Sequence, residues 1–235
     1  MRKVIVIGCP GAGKSRFSKQ LHEITHLPLY HIDMIFHNPD KTHITTEELV
    51  EKIDSIFKTN EWIIDGNYQR TLETRIKECD TIFLLDYPVE VCIAGAEARV
   101  GTKRDDLPWI EEKLDEEFKQ VILNFSKEKL PLIYELLEKH KDDKEIIIFK
   151  TRDEANEYIE GMKKNFLNNA NTQKFDELQF LKENYESPEQ WAQETIRAHS
   201  FHEPIPEIYL EKLMNCKTWD DVIKLSKEVV PFLKR

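Results

Sequence analysis

The sequence predicts an α/β fold in which a five-stranded parallel sheet is flanked by helices, followed by an all-α C-terminal extension. Three observations predict it. Short β-branched runs alternate with helix-length periodic stretches, the first run ends in a glycine-rich turn, and the composition shifts near residue 165. Residues 2–7, Arg-Lys-Val-Ile-Val-Ile, read as a buried strand, since a strand covered on both faces carries a continuous apolar run. Residues 14–24 follow as helix, and strand candidates return at 29–32, 62–64, 81–85 and 145–149. Thr45-Thr46-Glu47-Glu48 and Thr151-Arg152-Asp153-Glu154 have capping-box spacing before helices ending near residues 57 and 162. Residues 89–140 carry no strand signal, and Gly101 and Pro108 interrupt them around Arg99, Lys103 and Arg104. This predicts a mobile lid at 99–108 between two helices. The asparagine-rich stretch 165–174 reads as a linker, dividing the chain into domains 1–165 and 166–235. In the second, Ser187-Pro188-Glu189-Gln190 and Thr218-Trp219-Asp220-Asp221 open helices, with Trp191 and Trp219 as core residues.

Composition narrows the function. With 40% hydrophobic residues the chain is globular, and no apolar run approaches the roughly 20 residues a membrane helix needs, so a cytoplasmic location is expected. Four scattered cysteines without a CxxC pair point to free thiols. A formal charge of -10 makes nucleic acid an unlikely partner, because that role needs many cations against phosphates; a small anion needs only a local basic patch. His199 and His202 with Glu203 lack further ligands at helical spacing and are not read as a metal site.

The chemistry is carried by Gly8-Cys9-Pro10-Gly11-Ala12-Gly13-Lys14-Ser15, which fits G-x-x-x-x-G-K-[ST] between a strand and a helix. The glycines let the backbone fold into a nest of N–H groups around phosphate oxygens, and the helix start adds its positive end. Residues 8–16, including Arg16, are therefore the candidate nucleotide site, with Lys14 on the phosphates and the Ser15 hydroxyl on magnesium. Asp65, closing the strand Trp62-Ile63-Ile64, is placed to supply a second carboxylate to that metal. No Asn-Lys-x-Asp element for reading guanine occurs.

The runs Trp62-Ile63-Ile64-Asp65-Gly66-Asn67-Tyr68-Gln69-Arg70-Thr71 and Asp80-Thr81-Ile82-Phe83-Leu84-Leu85-Asp86-Tyr87-Pro88 resemble adenylate kinases and their relatives. With His31-Ile32-Asp33 and Pro131-Leu132-Ile133-Tyr134, they look most like the adenylate-kinase-like group of topology-modulation (FlaR-type) proteins, over residues 1–165. The resemblance implies a P-loop, nucleoside-monophosphate-kinase-like fold with acceptor-binding helices at 34–60 and a short lid. It further implies that Arg99 and Arg104 close over the transferring phosphoryl group, that Arg70, with Asn67, binds the acceptor, and that Arg152 lies at the nucleotide. Two departures stand out: Phe36 replaces an acceptor arginine of adenylate kinases, and Gly95 replaces an arginine expected in the topology-modulation group.

Asp33, after the second strand, is positioned as kinases of small alcohols position a proton-accepting carboxylate, and with His31 it points to a hydroxyl acceptor. The expected activity is ATP- and magnesium-dependent phosphoryl transfer to a small acceptor, a nucleotide or a small alcohol, with Lys14, Asp33, Arg99 and Arg104 as catalytic groups. The alternative is a nucleotide-dependent regulatory protein of the DNA-topology-modulation type with little transfer activity. The C-terminal helices are a candidate surface for a protein partner or self-association.

Overall fold

In the computed structural model the backbone is described for residues 1–172, 177–199 and 207–233, and side chains for 1–166, 181–197 and 207–226. The chain divides into two compact units, Met1–Lys164 and Asn165–Arg235.

The first unit is built on a five-stranded sheet in the order β2-β3-β1-β4-β5. Its strands are β1 (Lys3–Gly8), β2 (Leu29–His31), β3 (Trp62–Asp65), β4 (Thr81–Leu85) and β5 (Glu145–Phe149), and every pairing is parallel. Val4, Ile5, Val6 and Ile7 of central β1 are wholly buried. Burying four such side chains contributes on the order of 2 kcal/mol each, which is what makes an uninterrupted apolar run worth its insolubility. Parallel strands require crossover helices, and the intervening segments supply them: α1 (Lys14–Thr25), α2 (Ile32–Phe36), α3 (Thr46–Phe57), α4 (Gln69–Glu78), α5 (Val89–Glu97), α6 (Glu116–Glu128), α7 (Leu130–Lys139) and α8 (Arg152–Thr172). Phe17 of α1 and Tyr158 of α8 both meet Phe83 and Phe149, at ring centroid distances of 5.0 to 5.6 Å, so these two helices share one face of the β4–β5 edge.

The capping box before α3 forms as its spacing predicts: the Glu48 amide donates to Thr45 Oγ1 at 3.1 Å and the Thr45 amide to Glu48 Oε2 at 2.8 Å. The expected linker does not begin at 165, because α8 continues to Thr172. Asparagine is only a few tenths of a kcal/mol poorer in a helix than average residues, and no proline or glycine interrupts residues 162–172. Residues 99–108, where a lid was expected, lie in an irregular segment, 98–115, between α5 and α6.

The second unit contains α9 (Glu177–Asn184), α10 (Pro188–His199), α11 (Glu207–Met214) and α12 (Trp219–Leu233). Its own core gathers Leu181, Trp191, Leu213, Cys216, Val222 and Leu225, with Trp219 packed on it. Ser187 and Thr218 cap their helices by accepting from the Gln190 and Asp221 amides, both at 3.2 Å. The histidine pair His199 and His202 with Glu203 lies outside the residues whose side chains are described. No helix among the described residues is long and apolar enough to cross a membrane.

Candidate active site

β1 ends at Gly8 and α1 begins at Lys14, so residues 8–13 form a loop at the carboxyl edge of the sheet. Gly11 and Gly13 take left-handed φ values of 84° and 95°, and Lys14 Nζ folds back to donate to the carbonyls of Gly8 (3.0 Å) and Cys9 (3.1 Å). That hydrogen-bond pattern closes the nest around the lysine. The loop rests against α5: a Cβ on Gly95 would stand 2.1 Å from the Gly11 carbonyl oxygen and 2.5 Å from Arg152 Nη2. The arginine expected at position 95 therefore has no room, and Arg152 lies there instead, donating to the Val91 carbonyl at 3.1 Å and the Gly11 carbonyl at 3.4 Å. The thiol of Cys9 is buried against Cys92, and that hydrogen bond with burial raises its pKa, so it is an inert wall of the loop. Arg16 is exposed on α1.

Adjacent strands deliver the acids. Asp65 ends β3 and His31 ends β2 in register, and His31 Nδ1 lies 2.9 Å from Asp65 Oδ1. Burial alone would lower the His31 pKa, but the Asp65 carboxylate reverses this and raises it. The other Asp65 oxygen, Oδ2, is buried and accepts no hydrogen bond among the described residues. An orphaned oxygen on a carboxylate close enough to Lys14 to hold its pKa up fits a metal-bound water, so Ser15 and Asp65 suit the magnesium expected there. Asp33 is reached by solvent yet ringed by protein; this enclosure, then Asp65, pushes its pKa up against the pull of Lys14. Burial in turn lowers the Lys14 pKa, while Asp33 and Asp65 oppose that.

The two arginines expected in the lid are already committed. Arg104 grips Asp106 with Nε (2.8 Å) and Nη2 (2.6 Å) and reaches Glu111 with Nη1 (2.7 Å); Arg99 pairs with the same Glu111 oxygen at 3.3 Å. Asp106, held down to about 2 because its bonds to Arg104 outweigh burial, also accepts from the Ser15 hydroxyl. The sequence reading missed both acids, which look like ordinary surface charge in a polar loop.

Asn67 was expected on the acceptor. The structure places it on the phosphate loop: its Oδ1 accepts from the Gly8 amide (3.0 Å) and its Nδ2 donates to the Gly8 carbonyl (2.7 Å). Arg70 does line a cleft of about 400 Å³ with Phe36, His43, Ile44, Thr45, Thr46, Tyr68 and Gln69, and donates to Thr46 Oγ1 at 2.8 Å. Phe36 stacks on His43 (4.7 Å, 11°) and leans on Tyr68 (4.6 Å); His37 meets Trp109 of the lid segment edge-on at 5.1 Å. The position where adenylate kinases carry an arginine is thus an aromatic wall, which His37 and His43 help to build.

A glycine-rich phosphate loop on the central strand of a parallel sheet ordered 2-3-1-4-5 defines a P-loop nucleotide-binding fold. The chain is similar to adenylate kinases of Thermotoga petrophila and Thermotoga maritima, 34% identical to each over 97 residues, which are 40% of this chain and 43% of the relative. It thus spans about two fifths of the length of the curated relatives it matches. No protein-family profile matches it. Solved structures with a similar course include a shikimate kinase from Acinetobacter baumannii in complex with shikimate (TM-score 0.46, 15% identity, 72% of this chain and 94% of that one). A deoxyadenosine kinase from M. mycoides with dCMP and dCDP bound gives a TM-score of 0.35 at 14% identity, covering 72% and 98%. With TM-scores below 0.5 these likenesses carry no inference.

Proposed function

We propose that the protein transfers the γ-phosphoryl group of ATP to a small acceptor held between Phe36, His43, Tyr68 and Arg70. The observation that carries this reading is the meeting of Lys14, Asp33 and Asp65 at the carboxyl edge of three neighbouring strands, beside an aromatic cleft. The loop amides and Lys14 bind the triphosphate, and Ser15 and Asp65 would hold magnesium, which supplies charge neutralisation between the phosphates. Asp33, with its raised pKa and its place next to Lys14, accepts the proton of an acceptor hydroxyl. Arg99 and Arg104 stabilise charge on the transferring group once they release Glu111 and Asp106.

Radiolabel transfer from γ-labelled ATP to a panel of nucleosides, nucleoside monophosphates, sugar acids and small alcohols tests the reading, with Lys14→Ala as control. Transfer to a hydroxyl, lost at least about a hundredfold in Lys14→Ala and in Asp33→Asn, is the expected result. Transfer to a monophosphate that survives Asp33→Asn would move the acceptor role to Arg70. ATP binding without transfer to any acceptor would overturn the reading.

A further inference from the structure

Arg75 of α4 has no solvent exposure. Its guanidinium donates to three successive carbonyls of the β3–α4 connection: Nη1 to Gly66 (2.7 Å), Nη2 to Asn67 (2.6 Å) and to Tyr68 (3.1 Å). Nε donates to Thr71 Oγ1 at 3.2 Å. Burial presses its pKa down to about 9, with Asp65 opposing, so the group is charged at neutral pH. A planar fork bonded to three consecutive peptides fixes their orientations together.

Those peptides carry side chains that serve two different places. Asn67 clasps both polar groups of Gly8, whose carbonyl also receives Lys14 Nζ. Tyr68 forms a wall of the acceptor cleft against Phe36, and Arg70 follows two residues later in the same cleft. Asp65, immediately before the segment, lies beside His31. We propose that Arg75 is a positioning residue that keeps the phosphate-binding loop in register with the acceptor cleft, acting through the backbone of residues 66–68. This rests on the phosphotransferase reading, in which the two reacting groups must be held in a near-attack geometry, about 3–3.5 Å apart. A misplacement of about 1 Å typically costs a hundredfold in rate.

Arg75→Lys and Asn67→Ala test it in the full chain. Four quantities are measured: melting temperature, the dissociation constant for ATP with magnesium, kcat for transfer, and ATP hydrolysis without acceptor. Misregister slows transfer to a bound acceptor but spares attack by water, which needs no cleft. In Arg75→Lys, transfer kcat is therefore expected to fall about 10- to 100-fold while ATP affinity and hydrolysis change less than about threefold, raising the ratio of hydrolysis to transfer at least about tenfold. Asn67→Ala frees Gly8 of the phosphate loop directly, so it should weaken ATP binding as well; measured at saturating ATP it should raise the ratio of hydrolysis to transfer in the same direction, and it decides the matter if Arg75→Lys does not fold. Transfer and hydrolysis falling together, with a lowered melting temperature, would make Arg75 only a fold-stabilising residue and overturn the proposal. Hydrogen exchange at the Gly8 amide separates this outcome from failure of the phosphotransferase reading itself. If the wild-type protein transfers to nothing, Arg75→Lys must still speed Gly8 exchange at least about tenfold, since Asn67 protects that amide. Unchanged exchange would sink the positioning role.

Discussion

The carboxylate of Asp106 accepts a hydrogen bond from the hydroxyl of Ser15, 91 residues earlier in the chain. The lid segment thereby engages the hydroxyl assigned to magnesium, and does so through an acid whose charge Arg104 already balances. Asp106→Asn keeps the shape and removes the charge. Two effects should follow in opposite directions. Leaving Arg104 with Glu111 alone should cost on the order of 1–3 kcal/mol, lowering the melting temperature by roughly 2–10 °C in calorimetry. Freeing Ser15 should tighten the binding of ATP with magnesium severalfold in titration calorimetry.

Arg99 is half-buried, shares Glu111 with Arg104 and lies over the Phe118 ring at 5.4 Å. Arg99→Ala should lower kcat for transfer by about 100- to 1,000-fold while changing the ATP dissociation constant less than about fivefold. Equal losses in both would remove the transition-state role.

Gly95→Ala places a methyl group 2.1 Å from the Gly11 carbonyl oxygen, which belongs to backbone and cannot step aside. The loop must shift, so ATP affinity should fall at least about tenfold in equilibrium binding, with a stability loss of about 1–3 kcal/mol in urea unfolding. Gly161, whose added Cβ would meet nothing within 4 Å, is the control, and Gly161→Ala should leave binding intact.

Glu61, immediately before β3, is buried and pairs with Arg2 Nε at 3.2 Å. Burial raises its pKa above the usual 4.5, with Arg2 opposing. A carboxyl with a raised folded pKa carries no penalty below the unfolded value, where it is protonated in both states; the penalty enters as pH climbs through the folded pKa. Glu61→Gln should therefore melt higher than wild type at pH 7, and the gap should narrow at pH 4.

The elements that were readable share one property: their cause is local. β4 and β5 were legible to the residue because a continuous apolar run is its own signature, and the phosphate loop because its spacing imposes its backbone. Strand order was not legible, since nothing in the composition of β1 says that β3 and β4 will flank it. The contact of Asn67 with the phosphate loop was not legible for the same reason, its bonds crossing 59 residues to Gly8. Arg75 did carry a faint mark, sharing the buried stripe of α4 with Thr71, Leu72 and Ile76, where a cation is out of place. Asp106 and Glu111 carried none, because acids in a polar loop reveal their partners only once the loop has folded.

The centre of the sheet also has a history in time. β1 pairs with β3 from Lys3 opposite Trp62 and with β4 up to Gly8 opposite Leu85. A ribosome adding about 5–20 residues per second reaches Leu85 roughly 4–15 s after Gly8. Until β3 emerges Val4, Ile5, Val6 and Ile7 have no strand to pair with, and until β4 emerges they are flanked on one side alone. The newborn chain must shelter its stickiest segment until its partners emerge, so chaperone demand should rise with slower translation of residues 9–85 and fall once β4 is out.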